Sequence, residues 1–453
     1  MGRLRKTEDD ADRYLTRRSA VYYYKRRVPA DVAPMDDRGG LINFSLKTRD
    51  LSRARRLRDE YERADNELWA MLIRGEGVPE SLRKFRIATL KAKSLGFHYR
   101  TADEVALEPL ELLVSRLEAL TMDRGAINAT LGGVERPQVK ISEAFEVYLD
   151  QIAPAEVRGK SEGQRKRWKN GRKASAAAFI EVVGDLQIEK LSRDDTRRYY
   201  EHWLVRIAPK DGKPSHGPSI GNRRISDMRV FYREYFTLLG EPDRRNPFDN
   251  LSFKEKRGKK QRARPPFPHE WITDVILKSP ALAKMNDEAR GIMLVVADNG
   301  ARPGEICNLS ESQIVLDHPI PHIKIEPRDD PDDPREIKTD SSIRTLPLHG
   351  YALAVMRKFP KGFPTYRDNE NSLSAAVNKF MRENGLLPTK KHCLYSFRHS
   401  FEDRMKNRHV DAELRRILFG HAIDREEYGE GGSLELHLRQ IKKVSLPFDA
   451  SIV

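Results

Sequence analysis

Residues 394–401 read Leu394-Tyr395-Ser396-Phe397-Arg398-His399-Ser400-Phe401. The setting of Arg398, between aromatic and small residues, makes it the least ambiguous candidate in the chain. Three further blocks stand around it in order. Upstream, just after the apolar run Ile292 to Ala297, comes Asn299-Gly300-Ala301-Arg302-Pro303-Gly304-Glu305-Ile306. Between the two lies Ile337-Lys338-Thr339-Asp340-Ser341-Ser342-Ile343-Arg344-Thr345-Leu346-Pro347-Leu348. Downstream, Ile417-Leu418-Phe419-Gly420-His421 is followed seven residues later by Tyr428, in Tyr428-Gly429-Glu430-Gly431. Taken singly, each block has an ordinary reading. Arg302 would be an ion-pair partner, Lys338 an exposed lysine, His421 a residue at a helix end and Tyr428 a packing residue. Their joint occurrence in this order is what signals chemistry.

Together the blocks resemble the catalytic domain of the tyrosine recombinases, the phage-integrase family. The resemblance spans roughly residues 140–453. It implies that Arg302 and Arg398 are the two catalytic arginines, with Glu305 as acidic support. Lys338 matches the lysine of a β-hairpin, His421 the Gly-His position and Tyr428 the nucleophile, the sole tyrosine after Tyr395. The chain departs from the family where a histidine usually stands three residues before the second arginine. Here that residue is Tyr395. A neutral phenol can donate a hydrogen bond to a phosphate oxygen but is a poor base near neutral pH. The spacing from His421 to Tyr428 is also shorter than is usual in the family.

These residue types suit attack of a side-chain oxygen on a phosphodiester. Negative charge grows on the non-bridging oxygens, and planar guanidiniums match a phosphate. Such electrostatic stabilisation is expected to be the largest single effect. Lys338 is expected to protonate the leaving 5′ oxygen. His421 is expected to hydrogen-bond the phosphate or handle the nucleophile's proton. Tyr428 would then carry a 3′-phosphotyrosine link. No cofactor and no metal is implied.

The rest of the chain divides around this unit. Residues 1–125 read as a small β-plus-helix module. Its first strand is Val21-Tyr22-Tyr23-Tyr24-Lys25-Arg26-Arg27-Val28 and its second is Leu41–Leu46. From Leu51 to Leu68 the apolar spacing is helical. Another helical segment is expected around 103–123. Residues 124–138, with Gly125, Gly132, Gly133 and Pro137, read as a linker. Helical stretches near 142–152, 163–183, 192–207 and 218–239 form a helical unit over 139–253, which the resemblance makes a core-binding (SAM-like) domain. Residues 254–266 read as an exposed basic linker, with seven basic residues and one acidic in 254–264. Residues 267–453 form the mixed α/β catalytic unit, with strands expected around 321–348 and a terminal helix marked by Leu434, Leu438 and Ile441. The fold class is thus multidomain, mainly α with small β elements.

The formal net charge of +15 makes a polyanion the first partner to consider. Candidate DNA contacts are Lys25, Arg26, Arg27, Arg165, Lys166, Arg167, Lys169, Arg223, Arg224, Lys256, Arg257, Lys259, Lys260 and Arg344. The N-terminal stretch is a candidate for accessory arm-type DNA, or a sheet that only packs. Two cysteines, Cys307 and Cys393, are too few for a disulfide framework and suit a reducing cytosol. The N-terminus has no apolar signal region, and no run of eighteen apolar residues spans a membrane. The resemblance implies duplex DNA as substrate and a tetramer on it, from a free monomer or weak oligomer. It also implies accessory bending or directionality factors and a bacterial, nucleoid-associated setting. Integration or excision of a mobile element is the leading expectation. Resolution of replicon dimers or inversion, type IB topoisomerase action, and a catalytically impaired architectural or regulatory DNA-binding protein are the alternatives.

Overall fold

A computed structural model of the chain describes residues 11–453 except 34, 35, 37, 39, 75–79, 121–123, 255–263 and 423–430. The described residues fall into two units. One is Met1–Glu156 with Gly171–Glu255, the other Val157–Asn170 with Lys256–Val453. The described residues are mainly helical, with two three-stranded antiparallel sheets. No helix among the described residues is long and apolar enough to cross a membrane.

The first unit opens with a meander of β1 (Leu15–Arg18), β2 (Val21–Arg27) and β3 (Leu41–Ser45). The β1–β2 hairpin turns on Ser19 and Ala20, both at positive φ. That is the turn geometry that matches strand twist, and here no glycine supplies it. Strand alternation sends Tyr24 and Arg26 inward against α1 (Leu51–Arg74) and leaves Arg27 exposed. Tyr24 donates to Asp65 at 2.7 Å, so its buried hydroxyl is satisfied. Leu15, Tyr24, Ile42, Leu68 and Trp69 share one small core.

Four helices follow: α2 (Glu80–Ser94), α3 (Ala102–Ala106), α4 (Leu110–Glu118) and α5 (Arg124–Leu131). α2 lies where no helix is expected from the sequence. α5 replaces the start of the expected linker. Gly132 ends it at φ +73, where a Cβ would meet the Arg100 carbonyl at 2.3 Å. The glycine is thus a helix stop rather than a sign of irregular chain.

The remaining elements of this unit are α6 (Ile141–Val147), α7 (Ala153–Glu156), α8 (Glu162–Val183), α9 (Arg193–Ile207) and α10 (Pro218–Leu238). A π-helical turn over Tyr148–Ile152 joins α6 to α7. Phe145, Tyr148, Phe179, Tyr199, Phe231 and Tyr235 are buried among them. The first turns of α8, up to Asn170, belong with the second unit.

The second unit is built on α11 (Asp287–Asn299), in which every residue from Ala289 to Asn299 is buried. A helix enclosed on all sides explains the unbroken apolar run at 292–297. Around it stand α12 (Pro303–Ile306), the sheet β4 (Ile314–Val315), β5 (His322–Ile325) and β6 (Arg344–Pro347), then α13 (Gly350–Lys358), α14 (Glu370–Glu383), α15 (Ser396–Asn407), α16 (Ala412–Phe419) and α17 (Leu434–Lys443). Ile441, Val444 and Leu446 tie α17 and its tail into this unit's own core.

Gly300 ends α11 in the left-handed region at φ +71, and a Cβ there would sit 2.3 Å from the Phe401 ring of α15. Gly300→Ala therefore combines backbone strain with overpacking. Each contributes about 1–3 kcal/mol. The expected loss is about 3 kcal/mol in urea unfolding, whereas Gly40→Ala, an exposed position with no atom within 4 Å of the added Cβ and no left-handed backbone, should be far milder.

Candidate functional site

α16 ends with backbone carbonyls that no helical N–H can reach. Three guanidiniums from three other elements take them in succession. Arg344 of β6 donates Nε to the Leu418 carbonyl at 2.9 Å. Arg398 of α15 donates Nη2 to the Phe419 carbonyl at 2.6 Å. Arg302, two residues past Gly300, donates Nη2 to the Gly420 carbonyl at 3.0 Å. Arg398 also donates Nη1 to the Gly300 carbonyl at 2.8 Å and lies over the Phe419 ring at 4.6 Å. The loop after α11 and the end of α16 are thereby held on one arginine. Gly420 is left-handed at φ +61, and a Cβ there would meet Arg344 Nη1 at 2.8 Å.

One carboxylate pairs with two of the three cations. Glu305 accepts from Arg302 Nη1 at 2.5 Å and from Arg344 Nη1 and Nη2 at 3.1 and 2.8 Å. Burial pushes the Glu305 carboxyl up, but Arg344 and then Arg302 outweigh it and hold it at about 2. Burial drives the Arg398 guanidinium below its ordinary range, to about 10. His421 Nε2 is 3.3 Å from Arg398 Nη2. Arginine has only donors, so that ring nitrogen must accept and the proton sits on Nδ1. Consistently, burial first, then Arg398 and Arg302, push the His421 pKa down. With His421 neutral, three guanidiniums face one carboxylate, a surplus suited to an anion.

Lys338 is exposed in the loop between β5 and β6. It lines a cavity of about 410 Å³ with Arg302, Glu305, Lys324 and Arg335. Ser342 Oγ accepts from Arg302 Nη1 at 3.1 Å and pairs with Thr339 Oγ1 at 3.0 Å. A second groove of about 690 Å³ is lined by Arg264, Arg302, Arg382, Lys390, Lys391 and Tyr395. Tyr395 carries the Arg264 guanidinium over its ring at 5.2 Å and meets His399 edge-on at 5.3 Å. Among the described residues no group of three or more His, Cys, Asp or Glu side chains is placed to hold a metal ion.

Arg302, Glu305, Arg398 and His421 are therefore brought together, and Lys338 and Tyr395 line cavities that share Arg302. Tyr428 lies outside the described residues, as do Lys256, Arg257, Lys259 and Lys260. Two expected DNA contacts are instead turned inward. The Arg344 side chain is 3 % exposed and spends its donors on Glu305, Ser342 and Leu418. Arg26 is buried, donates to the Glu62 carbonyl and Asn66, and stacks on Trp69 at 4.3 Å. Arg167 is paired with Glu370 at 2.5 Å, and Arg224 reaches Gly171 and Ser175. Arg27, Arg165, Lys166, Lys169 and Arg223 are exposed, and Lys25 is half-buried. Sequence reading missed Ser342 and the anchoring role of Gly420, although both sit inside the quoted blocks.

A family described only as a domain of unknown function (DUF6538) matches residues 14–74. No curated protein matches the chain. Among solved structures, a lambda integrase tetramer bound to a Holliday junction is 14% identical, with 92% of this chain and 94% of that chain covered and a TM-score of 0.42. The Tn1549 transposon integrase in complex with transposon right end DNA is 15% identical, with 66% and 94% covered and a TM-score of 0.39. The integrase from mycobacterium phage Brujita is 12% identical, with 69% and 96% covered and a TM-score of 0.29.

Proposed function

We propose that the protein is a site-specific DNA recombinase of the tyrosine type, cutting and rejoining duplex DNA through Tyr428. The observation that carries this reading is the convergence of Arg302, Arg344 and Arg398 on the end of α16 against a single carboxylate. The arrangement follows in order the four blocks that resemble the family.

In this reading the scissile phosphate sits against Arg302 and Arg398, and the His421 Nδ1–H donates to one of its oxygens. Arg344 neutralises Glu305 and fixes the helix end, so that the other two guanidiniums are aimed before DNA arrives. Such preorganised charge is worth most where water is excluded. The Tyr428 oxygen attacks phosphorus, the bond to the 5′ oxygen breaks, and Lys338 protonates the leaving group. The link keeps the phosphodiester's bond energy, so a second 5′ hydroxyl can reverse the attack. Residues 139–253 serve as a core-binding domain and 267–453 as the catalytic domain, joined by the basic segment 254–266. The outward face of the N-terminal sheet, with Lys25 and Arg27, is assigned to accessory DNA. Assembly as a tetramer on DNA, integration or excision of a mobile element, and a place at the bacterial nucleoid belong to the same reading.

A second reading, a DNA-binding architectural protein without catalysis, is favoured by Tyr395 at the family's histidine position. A nicked duplex taken from the repeats flanking the gene separates the two. The wild type should accumulate a covalent adduct on a denaturing gel. Tyr428→Phe should abolish the adduct and retain binding in a gel shift. Binding without any wild-type adduct would overturn the enzyme reading, and relaxation of supercoiled plasmids lacking any site would point to a topoisomerase.

A further inference from the structure

The loop carrying Lys338 is fixed at both sides. Downstream, Thr339 pairs with Ser342, which accepts from Arg302. Upstream, the anchor comes from a segment 172 residues away in the chain. The side-chain amide of Gln164, in the first turn of α8, grips the backbone of Glu336 at two points. Its Nε2 donates to the Glu336 carbonyl at 2.7 Å, and its Oε1 accepts the Glu336 N–H at 3.2 Å. A primary amide thereby pairs with a peptide unit as a neighbouring strand would. Only Ile337 and Lys338 separate this anchor from Thr339, so the lysine's backbone has little room to drift.

Charged groups surround the grip. Lys160 pairs with the Glu336 carboxylate. Arg335 pairs with Asp368 and, at 2.6 Å, with Glu370, which also takes Arg167 at 2.5 Å. Arg335 exchanges both main-chain hydrogen bonds with Arg328 at 2.9 Å. These contacts dock residues 160–167 on the loop. The ion pairs are partly exposed and screened by salt, whereas the amide grip acts directly on the backbone that leads to Lys338. Gln164, Glu336, Lys338 and Arg302 all line the same cavity.

We propose that Gln164 is a positioning residue for Lys338, presenting its ammonium to the leaving oxygen. The inference rests on the recombinase reading above. In the step concerned, the Tyr428 oxygen bonds to phosphorus and the phosphorus–5′-oxygen bond breaks. Lys338 gives that oxygen a proton, while the phenol's proton passes to solvent, from which the lysine is recharged. A sulfur in place of the 5′ bridging oxygen leaves as a thiolate and needs no acid.

The test compares Gln164→Met, which keeps the volume and removes both hydrogen bonds to Glu336 together with the cap that Oε1 gives the Ser161 N–H, with wild type and Lys338→Ala. Each is assayed in the full chain for covalent adduct formation on a nicked duplex with a 5′ bridging oxygen and on its 5′ phosphorothiolate counterpart. On oxygen, Gln164→Met should cleave on the order of 10- to 100-fold more slowly, the scale of a displaced catalytic group. On sulfur it should match wild type, as Lys338→Ala should. Wild-type cleavage of the oxygen substrate by Gln164→Met, or an equal loss on both substrates, would overturn the assignment. Failure of the wild type to form any adduct would instead sink the recombinase reading. Should Gln164→Met not fold, Gln164→Glu, which keeps the acceptor and loses the donor, is read by the same oxygen-to-sulfur ratio.

Discussion

Arg398→Lys is expected to slow covalent attachment to DNA by a factor on the order of 10²–10³, the usual effect of removing one donor from a charge-stabilising site. The charge survives this change but the fork does not. Arg398 holds the Gly300 and Phe419 carbonyls with its two terminal nitrogens and faces His421 with one of them. An ammonium is a point charge on a flexible stem and cannot reproduce that planar set of donors. One buried carbonyl is left unmet, which adds about 1–3 kcal/mol of destabilisation. Single-turnover cleavage on a nicked duplex, with urea unfolding as companion, checks both parts. Cleavage close to the wild-type rate would remove Arg398 from the phosphate clamp.

Glu305→Ala is expected to produce the larger structural effect, about 3–5 kcal/mol, the range for breaking a buried pair from one side. The Glu305, Arg302 and Arg344 side chains are 12, 17 and 3 % exposed, so water can do little to replace the lost carboxylate. The pH dependence follows from the same contacts. The folded carboxyl titrates at about 2, against an ordinary 4.5. A depressed carboxyl pKa contributes stability that is fully present above the ordinary value and is lost as pH falls through the folded one. At roughly 1.4 kcal/mol per unit, the contribution is about 3 kcal/mol, which agrees with the deletion range. In urea unfolding the wild-type advantage over Glu305→Ala should therefore be large at neutral pH and shrink as the solution is acidified below about pH 4.5. A variant as stable as wild type at neutral pH would contradict the three-arginine arrangement.

The sequence blocks were readable because each combines a residue type with a local constraint. Arg302 stands behind a left-handed glycine, Arg398 inside an aromatic helix face, and His421 behind another left-handed glycine. The long helices were readable for a similar reason, since their apolar faces repeat within one element. What escaped reading depends on partners far along the chain or on unusual turn chemistry. The β1 strand was hidden because Ser19-Ala20 forms its hairpin without the glycine that usually marks one. α5 was mistaken for linker because Gly132 acts as a helix stop, fitted against the backbone of Arg100–Ala102. Arg344 reads as a surface cation until Glu305, 39 residues away, is placed beneath it. Arg26 reads as basic strand surface until Trp69 and Glu62 of α1 close over it. Gln164 is locally legible only as the cap of α8, where its Oε1 accepts the Ser161 N–H at 3.0 Å; its grip on a peptide unit 172 residues away leaves no mark in the sequence.

The central claim concerns one phenolic oxygen. The direct measurement is to trap the adduct on a nicked duplex, digest protein and DNA, and identify by mass spectrometry the peptide that retains a nucleotide. The expected product is a phosphodiester on Tyr428. A nucleotide on Tyr395, which lines the neighbouring basic groove, or no nucleotide on any peptide, would contradict it.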